Sequence, residues 1–173
     1  MPLFISAWAR LAVPISKYFS SIYPVSRTLK GKYKPRNPKK YKGNPTNIIY
    51  RSSWERTFCK YCDLTESVEQ WQSEEKAVWY YDPCSKKKRR YFPDFIIKFK
   101  DSKGIMKTEM IEIKPARQVA GPNPHPKRRT QGWMNEVRTF ITNRAKWDAA
   151  MEYCEDRGWS FRIITEKELG LIK

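Results

Sequence analysis

Two apolar segments near the middle of the chain decide the fold: "RRYFPDFIIKF" (residues 89–99) and "MIEIK" (residues 110–114). The first is rich in Phe and Ile and the second contains two Ile, and both predict strands of a small sheet. They also contain Asp94, Glu112 and Lys114, although an unpaired charge is costly to bury. These three charges therefore need an explanation beyond packing.

The spacing of these charges predicts that they meet at one place. Alternate residues of a strand share a face, so we expect Glu112 and Lys114 to lie side by side. Asp94 follows Pro93, a residue tolerated only at strand edges, starts or bulges. We therefore expect a bend at Asp94 that brings its carboxylate beside the strand of Glu112.

Two converging carboxylates repel each other, and a divalent cation removes the repulsion by neutralising both. Oxygen ligands suit Mg²⁺, with Mn²⁺ as the other option. Such an ion beside a lysine matches phosphodiester hydrolysis, in which Lys114 orients the attacking water or stabilises charge on the phosphorus. Alternatively, Asp94 is a turn residue, and Glu112 and Lys114 are a solvent-facing pair of little energetic value.

The charge balance favours a polyanionic partner. The chain has 35 Lys and Arg against 18 Asp and Glu, a formal net charge of +17, and nucleic acid is the commonest partner of such a protein. Two basic runs lie close in sequence to the charged trio, and phosphate contacts there would position a DNA duplex without reading its sequence. The alternative is that these runs are solvated loops. The residues concerned are Lys86, Lys87, Lys88, Arg89, Arg90, Lys127, Arg128 and Arg129.

Spacing along the rest of the chain predicts a mixed α/β domain. Trp54, Phe58 and Tyr61 lie on one helical face, and Ser52 with Glu55 fits the capping box that begins such a helix. The segments 76–83 and 89–99 predict two strands joined by a basic hairpin loop, and 104–114 predicts a third. Residues 133–158 predict a long helix with Met134, Val137, Ile141, Trp147, Met151 and Cys154 on its apolar face, and 159–165 a last strand.

The domain organisation follows from composition. Residues 1–30 contain an apolar run that Arg10 and Pro14 interrupt before it reaches the roughly 20 residues of a membrane span. An arm that docks on a partner protein is therefore the better interpretation of this segment. Residues 31–47 predict a basic, proline-rich strap, and 48–173 the main domain. We expect no membrane partner.

The cysteines argue against a zinc site. Cys59 and Cys62 form one CxxC, no second pair follows, and His125 is the single histidine, whereas structural zinc sites normally show two pairs. Reduced, partly buried thiols in a reducing cytoplasm are the better interpretation.

These motifs resemble a known family. "PDF" (93–95) and "EIK" (112–114), with "YRSSWE" (50–55) upstream, resemble the core of the PD-(D/E)xK nuclease superfamily. The stretches "NPKKYKGNPTNIIYRSSWERTFCKYCD", "YFPDF", "EIKP" and "AKWDAAMEYCEDRGW" are similar, within that superfamily, to the head-completion nucleases of tailed bacteriophages. The resemblance covers the chain from about residue 35 to its end.

The resemblance implies a restriction-endonuclease-like α/β core and a magnesium-dependent DNA endonuclease that acts in head completion after genome packaging. It implies Asp94, Glu112 and Glu55 as metal ligands and Lys114 as a catalytic residue, although capping by Glu55 competes with metal binding. Head, portal or neck proteins of the virion are the implied partners, and the virion and the host cytoplasm the implied locations. The alternatives are a non-catalytic head or neck protein that binds the DNA end, and a junction-resolving or transposition-type endonuclease.

Overall fold

The structure, a computed structural model, describes residues 29–169. The predicted arm, residues 1–30, therefore lies almost wholly outside the described residues. The chain divides into two compact units, the first comprising residues up to Gln72 with Ile97–Thr108, and the second Ser73–Ile96 with the residues from Glu109 onward. Each is described by itself.

The first unit contains most of the shorter elements. They are β1 (Gly31–Tyr33), a 3₁₀ turn (Pro38–Lys40), β2 (Ile48–Tyr50), α1 (Ser53–Leu64) and β3 (Val68–Gln72). Strands β6 (Phe95–Lys100) and β7 (Met106–Ile113) each contribute residues to both units. The second unit contains β4 (Val78–Asp82), β5 (Lys87–Tyr91), α2 (Ala116–Ala120), α3 (Gln131–Glu155) and β8 (Ser160–Ile164).

The main sheet has four strands in the order β3-β6-β7-β8. β7 and β8 are parallel, with Glu112 opposite Ile163, while β1 pairs with β2 and β4 with β5 in antiparallel ribbons. The predicted mixed α/β fold class is confirmed. Among residues 29–169, no helix has the length and apolar character that crossing a bilayer requires.

Helix α1 forms as its sequence predicts. Ser52 is the N-cap, and its hydroxyl accepts a hydrogen bond from the backbone N–H of Glu55 at 3.1 Å, a cap worth about 1 kcal/mol. The predicted apolar face, Trp54, Phe58 and Tyr61, is buried. The helical spacing therefore identified the core-facing side correctly.

The basic segment 31–47 is held on the first unit by a buried acid of α1. Asp63 is fully buried, and its Oδ2 accepts hydrogen bonds from the Tyr33 hydroxyl at 2.9 Å and the Arg36 N–H at 2.7 Å. Its Oδ1 accepts from the Asn37 N–H at 2.8 Å. Hydrogen bonds to a charged group contribute about 1.5–3 kcal/mol each, so Asp63 anchors this segment.

The prediction of one strand over residues 89–99 is wrong, because two strands occupy this stretch and residues 92–94 separate them. Pro93 has no N–H for a ladder, and the side chain of Asp94 bonds the backbone of β7. The basic run was also wrongly predicted as a loop. Its residues from Lys87 onward form β5, in which Arg89 lies opposite Tyr80.

Helix α3 was predicted correctly in kind, but its apolar face only in part. Trp147 and Cys154 are buried, whereas Met134, Ile141 and Met151 are exposed. Residues of the C-terminal half of α3 pack into the core of the second unit, which consists of Val78, Tyr80, Tyr91, Ile96, Met110, Ala150 and Cys154. The helical spacing of apolar residues predicted one continuous buried face along α3, because spacing alone does not show which part of a helix packs against other elements.

The cysteines are all free thiols, as the prediction required. Cys59, Cys62 and Cys154 are buried and Cys84 is exposed. Burial raises the pKa of Cys154 to about 11 and that of Cys62 well above its usual value. These buried thiols are therefore protonated and unreactive near neutral pH.

Candidate active site

Asp94 lies at the bend between β5 and β6, where the sequence places it. Its Oδ2 accepts a hydrogen bond from the backbone N–H of Ile113 at 2.7 Å. Ile113 directly follows Glu112 in β7, so the bond fixes the Asp94 carboxylate beside the strand segment that contains Glu112. This contact is the observation that supports the predicted proximity of Asp94 and Glu112.

Glu112 is buried, with 3% of its surface exposed. Its Oε1 lies 2.9 Å from the Nζ of Lys114, and its Oε2 accepts a hydrogen bond from the hydroxyl of Tyr91. Lys114 follows the last residue of β7 and stays on the same side as Glu112, as the period of two requires. The buried carboxylate thus has both a cation and a neutral donor.

Tyr91 is the member of this group that sequence reasoning missed. It is the last residue of β5 and is buried in the core of the second unit. Burial, followed by the charge of Glu112, raises the pKa of Tyr91 far above its ordinary value of 10. The hydroxyl therefore stays protonated and remains a donor to Glu112. The available signal was that a buried tyrosine hydroxyl normally has a hydrogen-bond partner.

Glu55 belongs to the first unit, and its carboxylate takes part in the cap of α1. Its Oε2 accepts from the Arg51 N–H at 2.7 Å and its Oε1 from the Ser52 hydroxyl at 2.9 Å. The capping role that the sequence offered is therefore confirmed. The role of Glu55 as a metal ligand stays a prediction.

The chemistry of the donor set fits a hard divalent cation. Asp94 and Glu112 offer carboxylate oxygens, and Mg²⁺ is usually bound by one or two carboxylates while it keeps several of its waters. Within residues 29–169 no cluster of three or more His, Cys, Asp or Glu side chains has the arrangement of a metal site. The fit is therefore to a two-carboxylate site of the magnesium type, without the soft ligands that zinc prefers.

The first basic run lies on the β4–β5 hairpin, and all five of its residues are exposed. Lys86 occupies the turn with a positive φ of 53°. Arg89 forms an ion pair with Asp82 at 3.4 Å, whereas the Nζ of Lys88 lies 5.5 Å from the ring centre of Trp79. Arg89 thus stabilises the hairpin through its ion pair, whereas the side chain of Lys88 extends over an aromatic ring.

The second basic run lies on the loop between α2 and α3, and Lys127, Arg128 and Arg129 are exposed there. The guanidinium of Arg129 lies 5.8 Å from the ring centre of Trp133. The indole N–H of Trp133 donates to the carbonyl of Asn123 at 2.9 Å, which ties the loop to the start of α3. The polar atom of Trp133 thus supports the loop.

Comparisons with known proteins show which sequences this chain is similar to. A family model described as "TnsA-like endonuclease N terminal" matches residues 65–166, a range that includes Asp94, Glu112 and Lys114. The head completion nuclease of Enterobacteria phage T4 is 40% identical over 142 residues, which cover 80% of this chain and 92% of that protein. The search of solved structures gave no match.

Proposed function

Because the chain belongs to the family of the TnsA-like endonuclease N-terminal domain, and so is an endonuclease with a restriction-endonuclease-like fold, we propose that it hydrolyses DNA with Mg²⁺ during head completion of a tailed phage. Membership in this family indicates a divalent metal cofactor. The observation that carries the proposal is the convergence of Asp94, Glu112 and Lys114 on one segment of β7.

The proposed division of labour follows from the contacts. Asp94 and Glu112 would hold the metal, which when bound supplies a Lewis acid that polarises a phosphoryl oxygen and lowers the pKa of a bound water. Lys114 has three N–H donors, and its Nζ lies 2.9 Å from Glu112. The ammonium group of Lys114 would orient the attacking water or stabilise charge on the phosphoryl oxygens. Tyr91 is a positioning residue that holds Glu112 in place.

Glu55 is proposed as a further ligand on the strength of the family resemblance. Its carboxylate also accepts two hydrogen bonds at the start of α1, so the ligand role requires it to serve the cap and the metal together or in turn. Replacement by Gln separates the two, because the amide oxygen still accepts from a backbone N–H but is a weaker metal ligand than a carboxylate.

The basic residues are proposed to hold the DNA backbone. Lys86 to Arg90 and Lys127 to Arg129 are exposed, and phosphate contacts by such residues give affinity without sequence preference. The net charge of +17 adds long-range attraction for DNA. Binding should accordingly weaken steeply as salt is added.

The place of action is proposed from the relative. The similar phage T4 protein is named a head completion nuclease, and we assign this chain to the head or neck of a virion and to the host cytoplasm before assembly. The proposed layout is an arm (1–30) that docks on a head, portal or neck protein, a basic strap (31–47) and a nuclease domain (48–173). Deletion of residues before Leu29 should abolish incorporation into particles, and unchanged incorporation would reject the arm.

The enzymatic proposal is tested by cleavage of a closed circular plasmid. Wild-type protein with Mg²⁺ should nick and linearise the plasmid, and EDTA or Asp94→Asn should abolish cleavage. The matched control is Asp148→Asn, because Asp148 is an exposed acid of α3 that forms a long ion pair with Arg144, at 3.8 Å. If wild type cuts with neither Mg²⁺ nor Mn²⁺, the proposal is refuted, and retained DNA binding would then favour a structural head protein.

A further inference from the structure

The β4–β5 hairpin has one solvent-exposed face on which aromatic and cationic side chains alternate. Trp79 lies opposite Arg90, and Tyr81 lies opposite Lys88. Directly paired residues of an antiparallel ribbon share a face, so these four side chains form one surface. Phe92, two residues after Arg90, is also exposed. We call Trp79, Tyr81, Lys88, Arg90 and Phe92 the stacking face.

The hairpin is not solvated on both of its faces, and the exposed rings lie only on one of them. Val78, Tyr80 and Tyr91, on the opposite face of the same hairpin, are buried in the core of the second unit. Trp79 and Tyr81 remain 57% and 60% exposed. Large aromatic rings are the side chains that gain most from burial, and a contiguous exposed apolar patch commonly marks a binding surface.

The cations of this face lie against its rings. The Nζ of Lys88 is 5.5 Å from the ring centre of Trp79, and the guanidinium of Arg90 is 5.9 Å from that of Phe92. Both charged side chains of the face are therefore positive and adjacent to a flat apolar surface. This combination suits a ligand that presents flat rings and negative charges at regular intervals, which is a strand of nucleic acid.

We propose that the stacking face binds unpaired bases of the DNA strand near the cleaved phosphate, an inference that rests on the proposed DNA substrate. Aromatic side chains stack on single-stranded bases of any sequence. In a continuous duplex the faces of the bases are covered by their neighbours, so the exposed rings find a partner only where the bases are unpaired. Lys88 and Arg90 then contact the phosphates of the same strand.

The position of the face along the chain limits how far from the cut these bases lie. Arg90 precedes Asp94 by four residues, and an extended chain spans at most about 3.6 Å per residue, so their Cα atoms are within about 14 Å. One strand of DNA advances about 3.4 Å per nucleotide. The bases beside Arg90 therefore lie within about four nucleotides of the scissile phosphate, and those beside Lys88, six residues before Asp94, within about six. The preferred substrate class is DNA with a single-stranded tail, gap or frayed end beside the cut.

Binding by the Asp94→Asn protein tests this without requiring cleavage. The ligands are a fluorescent single-stranded oligonucleotide, a blunt duplex of the same sequence and a duplex with a four-nucleotide tail, measured by anisotropy. Trp79→Ala and Tyr81→Ala should each weaken binding to the single strand and the tailed duplex about tenfold, within the range for loss of one stacked base. Binding to the blunt duplex should change less than twofold.

Controls separate stacking from charge and from misfolding. Ile105→Ala removes another exposed apolar side chain, 54% exposed, and should leave all three affinities unchanged. Lys88→Gln should lower the slope of log affinity against log salt by about one, while Trp79→Ala leaves the slope unchanged. Thermal melts that coincide with those of the parent show that the hairpin is intact.

Two outcomes would overturn the inference. Equal losses on single-stranded and duplex DNA would show general backbone binding, and unchanged affinity in Trp79→Ala and Tyr81→Ala would assign the face to a protein partner. Failure of the proposed enzymatic function appears elsewhere, as absence of plasmid cleavage by wild type. A protein that binds tailed DNA through this face but never cuts would uphold the inference and refute catalysis.

Discussion

Replacement of Tyr91 by Phe removes a single hydroxyl from the contact that holds Glu112. The ring stays in the core of the second unit, where Tyr91 is buried, so packing is preserved. The lost interaction is a hydrogen bond from a protonated hydroxyl to a carboxylate that is 3% exposed. Lys114 still neutralises that carboxylate from 2.9 Å, and the change therefore isolates positioning from charge.

The size of the effect follows from that contact. A hydrogen bond to a charged group contributes about 1.5–3 kcal/mol, and loss of a partner that orients a metal ligand typically costs about 10- to 100-fold in metal affinity or activity. We expect Tyr91→Phe to raise the Mg²⁺ concentration needed for half-maximal cleavage by about 10- to 100-fold. The rate at saturating Mg²⁺ should fall less, because excess metal restores occupancy.

The assay is single-turnover cleavage of end-labelled DNA across a Mg²⁺ titration, with Tyr80→Phe as the matched control. Tyr80 is buried in the same core, on the neighbouring strand, and the ammonium of Lys146 lies 5.8 Å from its ring centre and 5.9 Å from that of Tyr91. Tyr80→Phe should leave the Mg²⁺ requirement unchanged. If both variants behave alike, the hydroxyl of Tyr91 does not position Glu112 for metal binding and the reasoning is refuted.

Four further predictions concern single residues. Glu55→Gln should lower single-turnover cleavage at least tenfold with an unfolding free energy within about 1 kcal/mol of wild type, and full activity would leave Glu55 as a cap alone. Lys114→Ala should slow cleavage about 10²- to 10³-fold at saturating Mg²⁺, and a loss below threefold would remove it from the mechanism. Asp63→Ala should destabilise the protein by about 3 kcal/mol or more in urea unfolding, because three donors lose their acceptor; wild-type stability would contradict the anchoring role. The backbone N–H of Ile105, with other donors, lowers the pKa of Asp101. The stabilisation that the Asp101 carboxylate provides is therefore complete above the ordinary pKa of 3.8 and is lost as pH falls through the lowered value. The difference in urea midpoint between wild type and Asp101→Asn should shrink on acidification, and a constant difference would contradict this.

The bend at Asp94 and the side-by-side placement of Glu112 and Lys114 were predictable because local rules fix them. The period of two places Lys114 beside Glu112, and Pro93 cannot remain in a strand ladder, so the bend at Asp94 follows from sequence. The helix at Ser52 was equally predictable from its capping box. These features depend on neighbours within a few residues, which a sequence displays directly.

Tyr91 and Trp79 were missed because their roles depend on the tertiary fold. Both are aromatic residues of adjacent strands, and composition alone assigns both to a core. The register of the β4–β5 ribbon, Val78 opposite Tyr91 and Trp79 opposite Arg90, buries one and exposes the other. A shift of one residue would reverse the assignment, and the sequence does not state the register.

The split of residues 89–99 into two strands illustrates the same limit. The apolar run looked continuous, and the basic residues before it resembled a loop. Pairing with β4 makes Lys87–Tyr91 a strand, although exposed lysines and arginines have little strand preference of their own. Pairing across the β4–β5 hairpin therefore decided the structure of this segment, and the composition of the segment does not display that pairing.

Direct measurement of metal binding decides whether Asp94 and Glu112 form one site. Free Mn²⁺ can be quantified by electron paramagnetic resonance during titration of wild type, Asp94→Asn, Glu112→Gln and the control Asp148→Asn. Wild type and Asp148→Asn should bind an ion that both other variants bind at least 100-fold more weakly, since each loses a charged ligand. Equal Mn²⁺ affinity in all four proteins would contradict a metal centre at the bend of Asp94.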